Sequence, residues 1–122
     1  MSETYSEYAV KGKGGLLSVF GVKTEYETIY LDGTLEIAAI YNKSRRKRKF
    51  ICEMKEVMGY HLGRKEDAAR LGRITKDFSS GKSDVVCCVM KVSTGKGIHV
   101  ICFEPGEDLE KILRRRYPQL KA

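Results

Sequence analysis

Apolar and polar residues alternate along most of this chain, and only the C-terminal segment changes to a helical period. Tyr5 to Val10 reads as a strand, and Leu16 to Lys23 as a second apolar, strand-like run beyond the break at Lys11-Gly12-Lys13-Gly14-Gly15. Glu25 to Leu31 is aromatic and β-branched, as strands prefer. Asp32-Gly33 follows, a hairpin turn signal because Gly accepts the positive φ of a type I′ turn. Thr34 to Tyr41 then alternates, with Leu35, Ile37, Ala39 and Tyr41 on one face. Asn42-Lys43-Ser44 predicts a second turn, leading through Arg45 to Glu53 into a continuing strand over Met54 to Leu62. Arg64 to Leu71 predicts a two-turn helix closed by Gly72, and Ile74 to Phe78 a short strand. Ser79 to Asp84 is a loop, Val85 to Val92 a central strand, Thr94 to Gly97 a turn, and Ile98 to Phe103 the returning strand. Glu107 to Tyr117 places Leu109, Ile112, Leu113 and Tyr117 at helical spacing. Acids in its first turn and Arg114, Arg115 and Arg116 in its last suit the helix dipole, and Pro118 ends it.

The sum is a mostly antiparallel α+β fold of six to seven strands with one C-terminal amphipathic helix. Residues 1–23 form an arm and connector; 24–122 form the main body of a single domain. Such a meander must hide its apolar face, and a terminal helix plugging a curled sheet or barrel does so. The pleckstrin-homology (PH) type of barrel has this element order. A flat sheet covered by two helices is the competing arrangement.

At 122 residues there is no room for a second domain of comparable size. The longest apolar runs, Leu16 to Val22 and Val85 to Met90, fall far short of the roughly 20 residues of a spanning helix. No apolar signal region is visible at the N-terminus. Cys52, Cys87, Cys88 and Cys102 form no C-x-x-C pair and sit among apolar residues, which predicts buried, reduced thiols and a cytoplasmic setting.

Three segments carry a resemblance: Glu25-Tyr26-Glu27 with Tyr30-Leu31-Asp32, Asn42-Lys43-Ser44-Arg45-Arg46-Lys47-Arg48, and Lys76-Asp77-Phe78-Ser79-Ser80-Gly81. Together they resemble an uncharacterised family of small proteins from Gram-positive anaerobes whose domain looks PH-like. The likeness runs from about Thr24 into the final helix, and it implies a PH-like bent sheet or barrel but no activity. Other members of that pattern carry a membrane-spanning stretch before the Glu-Tyr-Glu strand, where this chain has only Leu16 to Val22. The resemblance therefore implies the inner face of the membrane as a setting, with an anchor near residues 11–23 if the native gene encodes one.

The net charge of +7 concentrates in one place: Lys43, Arg45, Arg46, Lys47, Arg48 and Lys49 are six cations within seven residues. On a strand they alternate between faces, so neither face can be buried and the run should project as a hairpin tip. Such a tip attracts anions. An anionic lipid surface is the favoured partner, at about 1 kcal/mol per basic residue. A nucleic acid bound through phosphates is the alternative, and a protein partner a third. The plain reading is a solvated edge guarded against aggregation. Arg114 to Arg116 with Lys121 reads more simply as dipole complement.

Nothing else rises to chemistry. Lys11 to Gly15 matches neither the phosphate-loop nor the dinucleotide glycine pattern, and no ribonucleoprotein pattern accompanies the seven tyrosines. Those tyrosines should pack their rings on half-buried strands and leave their hydroxyls wet. His61 and His99 lack ligand spacing; His99 should share a face with Ile101 and Phe103, opposite Cys102. Ser79, Ser80 and Ser83 lack a nucleophile-elbow pattern. The expectation is a non-enzymatic binding or scaffold domain without catalytic residues, metal or cofactor.

Overall fold

The computed structural model describes residues 6–11 and 24–122. The Gly-rich connector after Lys11 and the Leu16 to Lys23 run lie outside the described residues. β1 (Ser6–Lys11), β2 (Thr24–Leu31), β3 (Thr34–Tyr41) and β4 (Arg45–Glu53) pair antiparallel in that order. Asp32 and Gly33 take φ of 49° and 89° in the β2–β3 turn, and Asn42 and Lys43 take 50° and 64° in the β3–β4 turn. Positive φ at both central positions is the type I′ handedness that matches strand twist, so both expected hairpins form.

One residue shifts the register inside the second hairpin. Ala38 faces Arg48 but Ile37 faces Phe50, leaving Lys49 as an extra residue in β4. Without this bulge the pairing from the turn would set Ile37 against Lys49 and turn Phe50 and Cys52 outward. With it, both are buried in the core.

The strand expected over Met54 to Leu62 is broken. A 3-10 turn, Met54–Glu56, intervenes, with the Glu53 N–H donating to the Glu56 carboxylate at 2.8 Å and the Met54 N–H to the Gly33 carbonyl at 2.7 Å. The turn directs β5 (Val57–Gly63) into a second sheet with β6 (Lys76–Asp77), β7 (Cys87–Thr94) and β8 (Gly97–Phe103), ordered β5-β7-β8-β6. The described strands are therefore eight in two sheets, not six or seven in one, and the sheets do not close as a barrel. β6 is only two residues long and runs parallel to β8.

Arg64 to Leu71 is not the expected α-helix. Lys65–Leu71 is a 3-10 segment kinked at Ala68, ending at Gly72 with φ of 114°. Its buried side chains are Ala68 and Leu71, three apart, and three residues per turn stacks that pair on one face. They cover the outer face of the second sheet with Cys87, Val89, Val100 and Cys102.

Helix α1 (Gly106–Arg116) forms as expected and buries Leu109, Ile112 and Leu113 in the main core between the sheets. Each such side chain contributes about 1.5–3 kcal/mol. Two tyrosines anchor it, and their hydroxyls are not wet. The Tyr60 hydroxyl donates to the Leu113 carbonyl at 2.8 Å, and the Tyr30 and Tyr117 hydroxyls lie 2.8 Å apart. A buried ring with an unbonded hydroxyl would forfeit that hydrogen bond, so the helix supplies the partner water would have been. All four cysteines are buried and unpaired, with Cys88 in the main core and Cys87 on the opposite face.

Candidate functional site

The basic run does not stand out as a tip. Lys43 occupies the turn, and Arg45, Arg46, Lys47, Arg48 and Lys49 lie within β4, hydrogen-bonded to β3 and exposed on the free edge of the first sheet. The physical reason is local: among the described residues β4 has a partner strand only on one side, so long cationic side chains can reach water without leaving the ladder.

Register sorts the run by face. Arg46 and Arg48, opposite Ile40 and Ala38, share the outer face with Glu36 and Ile51; Arg45 and Lys47, opposite Tyr41 and Ala39, point to the other side. Arg46 is engaged. Its Nε donates to Glu27 Oε1 at 2.8 Å, and its Nη2 lies 3.3 Å from Glu36 Oε2. The bond to Glu27 is the main reason the Arg46 guanidinium is held above its ordinary pKa. The Lys49 ammonium sits 5.8 Å from the centre of the Tyr41 ring, a cation–π contact. Among the described residues, Lys43, Arg45, Lys47 and Arg48 have no carboxylate partner. Ile51, at the end of the same strand, is 44% exposed.

Beside this edge the two sheets part to leave a groove of about 550 Å³. Its first wall is Arg48, Lys49, Phe50 and Ile51 of β4; its second is Lys76 of β6, the Thr94-Gly95-Lys96 turn and His99 of β8. The Phe50 and His99 rings meet edge-to-face at 5.8 Å and join the walls at depth. His99 thus lies on the core side, opposite Cys102, as its strand position implied. The Thr94 hydroxyl donates to the Gly97 carbonyl at 3.3 Å and accepts the Lys96 N–H at 3.1 Å, fixing the turn that carries Lys96. Among the described residues no carboxylate lines this groove.

The neighbouring acid, Asp77, is committed elsewhere. Burial pushes its carboxyl up, but bonds from the Ser79 hydroxyl at 2.6 Å, the Ser79 N–H at 2.9 Å and Lys65 at 3.1 Å outweigh this and hold it below its ordinary value. Glu104, which unlike Asp77 is buried, accepts from the Ser80 N–H at 2.8 Å and hydroxyl at 2.5 Å. The loop serines therefore tie the Ser79 to Asp84 loop down.

Sequence reasoning picked out Arg48 and Lys49 but missed Lys76, Lys96 and His99 as their neighbours. They lie 27 to 51 positions from Arg48 and Lys49 in the chain, and no spacing rule joins them. Among the described residues no group of His, Cys, Asp and Glu could hold a metal ion, and no helix is long and apolar enough to cross a membrane. The family model described as Bacterial PH-like domain (DUF6106) matches residues 16–120. No curated protein and no solved structure matches the chain.

Proposed function

The chain belongs to the bacterial PH-like domain family, and from that premise we propose that it is a non-enzymatic binding domain that docks on anionic membrane surfaces through β4 and the turn before it. The observation that carries this reading is the uneven pairing of the basic run: Arg46 is held by Glu27 and Glu36, whereas Lys43, Arg45, Lys47 and Arg48 face water without a carboxylate among the described residues. Cations kept off internal acids retain their full attraction for an external anion. Exposed Ile51 on the same strand, with exposed Leu31 on the same face of β2, favours lipid over nucleic acid, because an apolar side chain gains free energy by entering the headgroup region. A cationic edge strand also resists edge-to-edge pairing, and the two roles are compatible.

Co-sedimentation with vesicles tests the reading. Binding to vesicles containing phosphatidylserine is expected, with none to pure phosphatidylcholine, and it should weaken as salt rises. Replacing Arg45, Lys47 and Arg48 together by Gln should lower the affinity about a hundredfold, at about 1 kcal/mol for each charge. Absence of binding at low salt overturns the proposal. Tighter, salt-dependent binding of an oligonucleotide than of heparin would move the assignment to nucleic acid.

A further inference from the structure

The groove between the sheets differs in charge from two other cavities among the described residues. Those two, of comparable size, mix signs: one includes Asp32 and Glu53 with Lys55, the other Glu66 with Arg64, Lys65 and Lys82. The groove beside β4 gathers Arg48, Lys49, Lys76 and Lys96 with no acid in its lining among the described residues. Four like charges brought together by two separate sheets repel one another, and an enclosed anion with more than one charge relieves that repulsion.

Its parts are also held in place. The bulge at Lys49 breaks the regular ladder where β4 borders the groove, and a bulge is a common means of re-aiming a side chain. Lys96 is set by a turn that the Thr94 hydroxyl bonds from both sides. Phe50 and His99 give the groove an aromatic inner wall. An arginine offers a planar pair of donors suited to a tetrahedral oxyanion, and the lysines offer point charges around it. A volume of about 550 Å³ lies within the range of small-ligand sites, about 300–1,000 Å³.

We propose that this groove binds a phosphate monoester, held between Arg48 and Lys49 of the first sheet and Lys76 and Lys96 of the second. The monoester has two chemical sources, a lipid headgroup such as that of phosphatidic acid or a small soluble phosphorylated compound. The inference deepens the membrane reading of β4, but it depends on the second sheet as well and can fail separately.

The experiment compares the full chain on vesicles of phosphatidic acid and of phosphatidylserine matched in zeta potential. A parallel NMR titration with glycerol 3-phosphate uses sulfate as the control. Wild type should prefer phosphatidic acid by about tenfold, the size one charge-assisted hydrogen bond supports. Lys76→Gln with Lys96→Gln should bring that ratio close to one. Arg45→Gln with Lys47→Gln removes the same charge outside the groove; it should lower both affinities and leave the ratio intact. Unchanged thermal melting of each double variant excludes unfolding as the cause.

Chemical-shift changes at Lys96 and His99 with glycerol 3-phosphate, in a chain that binds no vesicle, support the groove with a soluble ligand and overturn the membrane reading alone. A preference for phosphatidic acid without a response to glycerol 3-phosphate supports the lipid source. Equal binding to both vesicles with no such response overturns the groove and leaves the membrane reading standing. A Lys76→Gln/Lys96→Gln variant that keeps the tenfold preference also overturns it.

Discussion

Arg46 Nε meets Glu27 Oε1 at 2.8 Å, joining an edge-strand guanidinium that is 41% exposed to a carboxylate that is 3% exposed. The asymmetry decides what the pair does. Glu27 cannot be left charged and alone on its buried site, whereas Arg46 alone would simply hydrate. Arg46→Ala should therefore destabilise by about 1–3 kcal/mol, the cost of an unsatisfied buried acceptor. Glu27→Gln with Arg46→Ala should cost less than the two single changes added. Arg45→Gln and Lys47→Gln, on the same strand without described acidic partners, should stay within about 0.5 kcal/mol. Urea denaturation of the five variants checks this, and equal losses at Arg45 and Arg46 would refute the division of the run into a structural and a free part.

The C-terminal helix is held by apolar burial and oriented by two phenols. Leu113→Ala should cost about 2–5 kcal/mol, since the fully buried Leu113 leaves a cavity between the sheets. Tyr60→Phe should cost only about 0.5–1.5 kcal/mol, because the Leu113 carbonyl still accepts the Tyr117 N–H at 3.0 Å. Tyr117→Phe should cost more than Tyr60→Phe, because it takes a hydrogen-bond partner from the buried Tyr30 hydroxyl. The ranking Leu113→Ala, Tyr117→Phe, Tyr60→Phe in thermal melting is the checkable result.

How much of this was legible in the chain depends on the range of the interaction concerned. Asp32-Gly33 and Asn42-Lys43 name their own turns, so β2, β3 and β4 follow from local chemistry. The terminal helix carries its apolar face and its charges within eleven residues, and Pro118 stops it just beyond. The partner of Arg46 was also within reach: counting back from the two turns sets Arg46 opposite Ile40 and Glu27 opposite Ala38, on one face and diagonal to each other. The bulge at Lys49 was not, because it is imposed by where Phe50 and Cys52 must bury. Likewise, Ala68 and Leu71 fit either helix type until the sheet they cover is known. The crossing of β5 into a second sheet and the parallel β6 are long-range outcomes, and they create the groove. Lys76 and Lys96 therefore look like ordinary surface lysines in the sequence.

Asp77 and Lys65 give stability a defined pH dependence. Asp77 titrates below its ordinary value in the fold, so its contribution is complete above the unfolded value of about 3.9 and is lost as pH falls through the folded value. Lys65 is raised, first by its bond to Asp77, so its contribution holds below the unfolded value of about 10.4 and fades as pH rises through the folded one. The Asp77 side chain is 42% exposed, which limits the effect to about 1 kcal/mol or less. Asp77→Asn should be less stable than wild type at neutral pH, with the gap closing below about pH 4. A gap that persists unchanged to acid would assign the loss to packing instead.

The four thiols should be chemically silent while the protein stays folded. Burial is the leading cause that raises each of them, and Cys52, with Glu56 and Glu53 nearby, is pushed up to about 12. Alkylation needs the thiolate, so iodoacetamide at mildly alkaline pH should add nothing to the native chain and four adducts after denaturation. Partial opening should then proceed in a set order. Cys87 opens β7 three residues after Asp84, the end of the Ser79 to Asp84 loop, and beside exposed Val86, so loss of that loop uncovers it first. Cys88, one residue on, points into the main core under α1 and should react only with global unfolding. Mass spectrometry of peptides labelled at low urea separates the two neighbours, and simultaneous labelling of Cys87 and Cys88 would show that the loop and the core open as one unit.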